Sequence, residues 1–108
     1  IPESRIGYIG ASIGANLASW AAPRPRWLAL FSPGLEYRGV RLAWPPKDTP
    51  VLVAAAREDA YAHHTATDYA LSRRNVLFLR PKRGHGAQML SDPEFLKELL
   101  DWIEQKSR

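Results

Sequence analysis

A serine, an acid and a histidine occur along this chain in an order that suits nucleophilic catalysis. Ser12 lies in Gly-Ala-Ser-Ile-Gly at residues 10–14, Asp59 follows a run of alanines, and His85 stands between two glycines. A serine hydroxyl is a poor nucleophile at neutral pH and needs a histidine to accept its proton, while a carboxylate orients that histidine. These residue types predict attack on a carbonyl carbon, with Ser12 as nucleophile, His85 as base and Asp59 as orienting acid.

The surroundings of Ser12 give the Gly-x-Ser-x-Gly pattern its meaning. An apolar segment precedes the pattern and an amphipathic segment follows it, which is the strand-turn-helix setting of a nucleophile elbow. A serine in a strained backbone at such a turn crowds the residues two positions away, so we expect Gly10 and Gly14 to be there for want of a side chain. The backbone N–H of Ile13, at the start of the helix, would then face a developing oxyanion.

Other interpretations of these residues stay open at this point. A glycine-rich turn before a helix can bind phosphate, but the sequence has neither Gly-Lys-Ser/Thr nor Gly-x-Gly-x-x-Gly. Glu58 adjoins Asp59 and is an alternative acid. His63 and His64 are adjacent in a helical segment and cannot share one face to bind a metal, as residues four apart could, so they are interpreted as surface or partly buried histidines. No metal and no organic cofactor is predicted.

Short apolar segments alternate with helical ones, which predicts an α/β fold with four mostly parallel strands and three helices in three layers. The strands are predicted over residues 5–9, 27–31, 51–55 and 75–79. The first two helices are predicted over residues 13–22 and 61–74, and the last begins at a capping box of Ser91 and Glu94. Asp59 and His85 each follow a strand, so we expect all three catalytic candidates at the carboxyl edge of the sheet, where α/β proteins bind ligands.

Helical periodicity assigns one buried stripe to each helix. The predicted stripes are Ile13, Leu17, Trp20 and Ala21, then Ala62, Ala66, Tyr69 and Ala70, and finally Leu96, Leu99, Leu100 and Ile103. Residues 32–50 contain too many prolines and glycines for long regular elements and are expected to be irregular.

Composition limits the functions that are possible. The chain has 108 residues, of which 45% are hydrophobic and 24% charged, as expected for one folded domain. It has no cysteine, which excludes disulfides, thiolate metal sites and a cysteine nucleophile. No apolar run approaches the roughly 18 to 20 residues of a membrane span. The net charge is +4, and the basic residues that cluster mildly are Arg73, Arg74, Arg80, Lys82 and Arg83. Without interleaved aromatic residues they are interpreted as solvated, and nucleic acid is not the expected partner.

Over nearly its whole length the chain resembles the C-terminal half of an α/β-hydrolase of the esterase and dienelactone-hydrolase-like branch. The resemblance rests on Gly-Tyr-Ile-Gly-Ala-Ser-Ile-Gly-Ala-Asn, Leu-Phe-Ser-Pro-Gly-Leu-Glu-Tyr-Arg-Gly-Val, Pro-Val-Leu-Val-Ala-Ala-Ala-Arg-Glu-Asp, and Gly-His-Gly with the terminal helix. It implies a single truncated domain over residues 1–108. The catalytic roles of the family then fall on Ser12, Asp59 and His85, with the Ile13 N–H as one oxyanion donor.

The resemblance also implies the chemistry and its limits. Dienelactone hydrolases use cysteine where this chain has Ser12, so the implied reaction is the hydrolysis of carboxylic esters and not of that family's lactone. The loop that donates the second oxyanion N–H in the family has no counterpart here, which predicts low activity because one donor is worth about 10² to 10³ in rate. The shortness of residues 32–50 predicts no large lid and favours small or short-acyl esters.

A second hypothesis is a weak or inactive half-domain that acts as an assembly or binding module. The predicted first strand, from Arg5 to Ile9, would be central in the full fold but has one bare flank here. An apolar edge strand exposes unpaired backbone donors and acceptors. The sequence therefore predicts a homodimer or higher oligomer formed through this edge.

Overall fold

The computed structural model describes residues 2, 5–21 and 23–108. Its strands are β1 (Tyr8–Ala11), β2 (Leu28–Phe31), β3 (Glu36–Tyr37), β4 (Val40–Arg41), β5 (Val51–Ala54) and β6 (Val76–Leu79). Its α-helices are α1 (Ile13–Ala18), α2 (Ala60–Leu71) and α3 (Pro93–Lys106), and a 3-10 helix spans Gly86–Ser91. None of the helices in the described part of the chain is both long and apolar enough to cross a membrane.

Four parallel strands form one sheet in the order β1-β2-β5-β6. The predicted α/β class with a parallel sheet is therefore confirmed. The predicted bounds of the first strand, residues 5–9, are wrong. Strand β1 begins at Tyr8 and continues through Gly10 to Ala11. The small residues at its end pair with Leu30 and Phe31 of the neighbouring strand, so the strand extends into the glycine-containing motif.

Alternate residues of the two central strands supply a hydrophobic core on each face of the sheet. Every residue of β2 and β5 is buried, as expected for strands covered on both sides. The face under α3 contains Trp27, Ala29, Phe31, Leu52, Ala54, Leu79, Met89, Phe95, Leu99 and Trp102. The face under α1 and α2 contains Ala15, Leu28, Leu30, Val51, Val53, Ala55, Ala62, Ala66 and Tyr69.

Helix α1 differs most from its prediction. It ends at Ala18, and the predicted stripe is wrong because the side chains of Leu17 and Trp20 are 54% and 64% exposed. The buried residues are instead the small or polar Ala15, Asn16 and Ser19. The helix lies directly against β1, where short side chains allow close approach, so its large apolar side chains face away from the core.

The last helix begins one residue later than a capping box at Ser91 would place it. Asp92 is the N-cap, and its carboxylate accepts hydrogen bonds from the backbone N–H groups of Glu94 at 3.0 Å and Phe95 at 3.3 Å. Ser91 donates to the Gln88 carbonyl instead.

Within the predicted stripe of α3, Leu99 is buried and Ile103 is partly buried against the core, which confirms these two positions. The prediction is wrong for Leu96 and Leu100, which are exposed, and the other buried residues of α3 are Phe95 and Trp102. For α2, the predicted burial of Ala62, Ala66 and Tyr69 is confirmed.

Residues 32–50 contain a short antiparallel hairpin, β3–β4, and no helix among these residues, all of which the structure describes. Its two-residue turn is Arg38 and Gly39, both with positive φ, as the right-handed twist of hairpin strands requires. The Asn16 side chain ties the hairpin to α1 by donating to the Val40 carbonyl at 2.9 Å. A small fixed hairpin thus stands where the sequence predicted irregular chain.

Candidate active site

The three catalytic candidates meet at the carboxyl edge of the sheet. Ser12 directly follows β1, Asp59 lies between β5 and α2, and His85 follows β6. His85 Nε2 lies 2.8 Å from Ser12 Oγ, and His85 Nδ1 lies 2.5 Å from Asp59 Oδ2. Parallel strands bring residues 73 positions apart into direct contact here, as predicted for this edge.

The bonding pattern around His85 fixes the positions of the protons. A carboxylate can only accept, so the Asp59 contact requires the hydrogen of a neutral His85 ring to be on Nδ1. Nε2 is then free to accept the hydroxyl hydrogen of Ser12. The side chain of His85 is 42% exposed, so the ring is partly open to solvent.

Ser12 has the backbone of a strained turn. Its φ of 58° and ψ of −126° are rarely adopted by residues with a side chain. The turn is held because the Ser12 N–H donates to the Phe31 carbonyl at 2.8 Å and the Ala15 N–H donates to the Ser12 carbonyl at 2.9 Å. Ile13 is the first residue of α1, and its N–H has no acceptor within the helix.

Only one of the two elbow glycines is required by its surroundings. A Cβ at Gly10 would lie 2.1 Å from the Gly14 carbonyl oxygen, whereas a Cβ at Gly14 would have no neighbour within 4 Å in the described part of the chain. The expectation for Gly10 is confirmed. That for Gly14 is wrong, because the side chain would extend into open space beside α1.

This asymmetry predicts opposite outcomes for two matched substitutions. Gly10→Ala is expected to lower the free energy of unfolding by about 3 kcal/mol or more, since the clash is with backbone that cannot move aside. Gly14→Ala is expected to change it by less than about 1 kcal/mol, with the higher helix propensity of alanine in its favour. Urea unfolding followed by circular dichroism measures both, and equal losses would contradict the steric account.

The loop that presents His85 is fixed by three acceptors. The backbone N–H groups of residues 84, 85 and 86 donate to Glu58 Oε1 at 2.9 Å, Gln88 Oε1 at 3.0 Å and Ser32 Oγ at 2.7 Å. Both flanking glycines have positive φ, 105° and 61°, a backbone conformation that favours glycine. Glu58 therefore binds the loop, while its neighbour Asp59 contacts the imidazole.

Ser32 is a site residue that the sequence did not single out. It follows β2 at the same edge, has a φ of 51° and is fully buried. Its hydroxyl accepts from the Gly86 N–H, next to His85. A polar residue in the loop after a strand was the signal used for Asp59 and His85, and Ser32, which directly follows β2, has the same signal.

Asn16 and Tyr37 were also missed. The Asn16 side chain donates to the Gly34 carbonyl at 2.8 Å and accepts from the Gly34 N–H at 3.2 Å, so it holds the start of the hairpin segment. Tyr37, in β3, then lies beside His85, with ring centroids 6.5 Å apart. These long-range contacts left no local signal in the sequence.

The other histidines do not belong to this site. His64 contacts Asp68 at 3.4 Å on the exposed side of α2. His63 packs against Phe78, and its burial, with the nearby charges of Arg80 and Arg57, lowers its pKa. Within residues 2, 5–21 and 23–108, no three His, Asp or Glu side chains are grouped as metal ligands would be.

The basic residues are divided between the two edges of the sheet. Arg73 and Arg74 line a cleft of about 660 Å³ with Trp44, Lys47 and Ser72. Arg73 and Arg74 precede β6, whereas Arg80 and the basic residues after it follow the other end of β6. A four-residue strand is about 13 Å long, which separates the two groups. None of the three catalytic candidates lines this cleft, so the cleft is separate from the hydrogen-bonded groups of the candidate site.

No family model matches this chain, and no match was found among curated proteins or among solved structures.

Proposed function

We propose that this chain is a serine hydrolase of carboxylic esters built on a partial α/β-hydrolase fold. The observation that carries the proposal is the continuous chain of contacts from Asp59 through His85 to Ser12. A strained elbow serine, a histidine in the required tautomer and a carboxylate behind it form the arrangement that activates a serine hydroxyl.

The proposed reaction has two stages. Ser12 Oγ attacks the ester carbonyl while His85 Nε2 takes its proton, and the imidazolium is stabilised by Asp59. His85 then protonates the leaving alcohol, which departs and leaves an ester on Ser12. In the second stage, water attacks this acyl-enzyme with His85 as base. The Ile13 N–H stabilises the oxyanion in both stages.

The surroundings of the triad support small or short-acyl esters as substrates. The hairpin beside the site is short, and His85 is partly open to solvent, so a substrate needs no large lid to move. The mechanism requires neither a metal ion nor an organic cofactor. Ile13 supplies one backbone donor to the oxyanion, a group whose loss typically costs about 10² to 10³ in rate.

A fluorophosphonate probe tests this function, because it reacts preferentially with an activated serine hydroxyl. We expect one adduct per chain, and tandem mass spectrometry of the digested protein should locate it on Ser12. Prior denaturation is the matched control and should abolish labelling. The absence of an adduct, or an adduct on another serine, would contradict the proposal.

A second candidate function is assembly through the edge of the sheet. Among the described strands, β1 has a hydrogen-bonded neighbour on one side only, β2. Its Ile9 is 52% exposed, and the adjoining α1 region exposes Leu17 and Trp20. Open backbone groups beside exposed apolar side chains favour pairing with another strand, so a second copy of this chain is the proposed partner.

Oligomeric state tests this second candidate directly. We expect multi-angle light scattering to give a dimer or larger species at micromolar concentration. Ile9→Lys should shift it towards the monomer, because a charge on an edge strand opposes pairing. Leu71→Lys is the matched control, since Leu71 is 82% exposed on α2 and lies outside β1. A wild-type protein that is monomeric throughout would refute assembly through β1.

A further inference from the structure

A cleft lined by aromatic and cationic side chains lies opposite to the triad, at the edge of the sheet where β5 and β6 begin. Its volume is about 660 Å³, and sites for small organic ligands typically measure roughly 300 to 1,000 Å³. The residues that line it are Trp44, Lys47, Ser72, Arg73 and Arg74. Among the described residues, the lining therefore combines one indole ring and one hydroxyl with three positive side chains and no acid.

The positive charge of this cleft is unbalanced within the described part of the chain. Its three cations form no ion pair there. The acids nearest to them in the sequence, Asp48 and Asp68, line other clefts. The carboxyl end of α2 contributes only about half a negative charge, which is small against three positive side chains. An anion is therefore the complementary ligand.

Arg73 has a fixed orientation in the cleft. Its Nη2 donates to the Pro46 carbonyl at 2.6 Å, and its guanidinium carbon lies 6.0 Å from the centre of the Trp44 ring. A guanidinium has several N–H groups, so other donors remain after the bond to Pro46. Paired N–H groups in a planar fork suit the oxygens of a phosphate, and a fork that is already oriented loses less freedom on binding.

Trp44 offers a flat apolar surface beside these cations. Its ring stacks on that of Tyr69, with centroids 4.4 Å apart and an interplanar angle of 5°. Tyr69 is only 1% exposed and belongs to the core beneath α2, so it supports the indole from the protein side. Trp44 is nevertheless 54% exposed. The open part of the indole is therefore available to contact the flat ring of a ligand.

We infer that this cleft binds a small organic anion in which a phosphate group is attached to a flat ring. The phosphate accepts hydrogen bonds from Arg73 and pairs with Lys47 and Arg74, while the ring contacts Trp44. A phosphate monoester carries about 1.5 to 2 negative charges at neutral pH, which suits three cations better than the single charge of a carboxylate. The inference is independent of the proposed function, because no residue of the triad lines the cleft.

Titration calorimetry with three probes tests the class of ligand. We expect phenyl phosphate to bind one-to-one with a Kd of about 1 mM or lower. Inorganic phosphate lacks the ring and should bind about 2- to 10-fold more weakly, the value of one aromatic contact. Phenol lacks the charge and should give no saturable binding. Equal affinities for phenyl phosphate and inorganic phosphate would overturn the proposed ligand class, and no saturable binding of phenyl phosphate would overturn the site itself.

Four variants test the position of the site. Lys47→Gln and Arg74→Gln change exposed side chains of the cleft and should each weaken phenyl phosphate binding by about 3- to 10-fold, through loss of one charged contact. Lys82→Gln and Arg80→Gln are the matched controls, because they remove the same charges beyond the other end of β6. At about 0.1 M ionic strength, charges more than about 10 Å apart are largely screened, so we expect the controls to keep the wild-type Kd. Circular dichroism should show all four folded. Equal losses in cleft and control variants would indicate non-specific attraction and overturn the inference.

Discussion

Replacing His85 with alanine is expected to lower kcat/KM for p-nitrophenyl acetate by about 10⁴- to 10⁶-fold, the range for loss of the base from a serine triad. The reason is the 2.8 Å contact between His85 Nε2 and Ser12 Oγ. Without it, the hydroxyl must lose its proton to bulk water at neutral pH. Ser12→Ala should cost as much, and the double variant no more than either single one, because the two groups act as a unit.

A second histidine provides the control for this experiment. His64→Ala removes an exposed imidazole that contacts Asp68 on α2, outside the site. We expect its kcat/KM to stay within about twofold of the wild-type value, in line with the small value of surface ion pairs. Circular dichroism should give the same spectrum for all variants. Activity in His85→Ala close to that of His64→Ala would rule out His85 as the base.

The second large effect is expected for Asp59→Asn, about 10⁴-fold in kcat at neutral pH. Asparagine has nearly the same shape as aspartate, but its amide hydrogens favour the tautomer with a lone pair on His85 Nδ1. Nε2 then carries the hydrogen and cannot accept the proton of Ser12. The negative charge that stabilises the imidazolium is lost as well.

Glu58→Gln distinguishes the two adjacent acids. Glu58 accepts the Gly84 N–H at 2.9 Å, and glutamine retains a carbonyl oxygen that can accept the same bond. We therefore expect kcat to fall by less than about fivefold, the effect of a modest change at a loop hydrogen bond. The two variants together also test the assignment left open by the sequence. A larger loss in Glu58→Gln than in Asp59→Asn would reverse the roles of the two residues.

The sequence predicted the parallel sheet because β2 and β5 are apolar at every position, which is a strong local signal for buried strands. Helix faces were predicted less well. In α1 the predicted stripe follows large apolar residues that are exposed, and in α3 it follows the leucines although Phe95 and Trp102 are buried. Burial depends on which face of a helix can approach the sheet. Asn16, fully buried, is satisfied by backbone groups of the hairpin segment, and such distant partners are invisible to a periodicity argument.

The motif at Ser12 was likewise predicted in part from the sequence and decided in part by the tertiary structure. The Gly-x-Ser-x-Gly spacing predicted the tight turn and the need for Gly10. The spacing could not show that Gly10 and Gly14 differ in their tolerance of a side chain, because that difference depends on the atoms that a Cβ would meet at each position. Gly10 meets the backbone of α1, whereas Gly14 borders open space.

The sequence by itself determined the residue types and their order along the chain: Ser12, an acid at residue 58 or 59, and His85, each directed to the carboxyl edge by the strand that precedes it. That much follows from local pattern and the geometry of parallel strands. Only the tertiary structure decided between Glu58 and Asp59 and brought Ser32 and Tyr37 to the site. Hydrogen bonds have directions and lengths that depend on loops from four strands packing together, and no single segment contains that information.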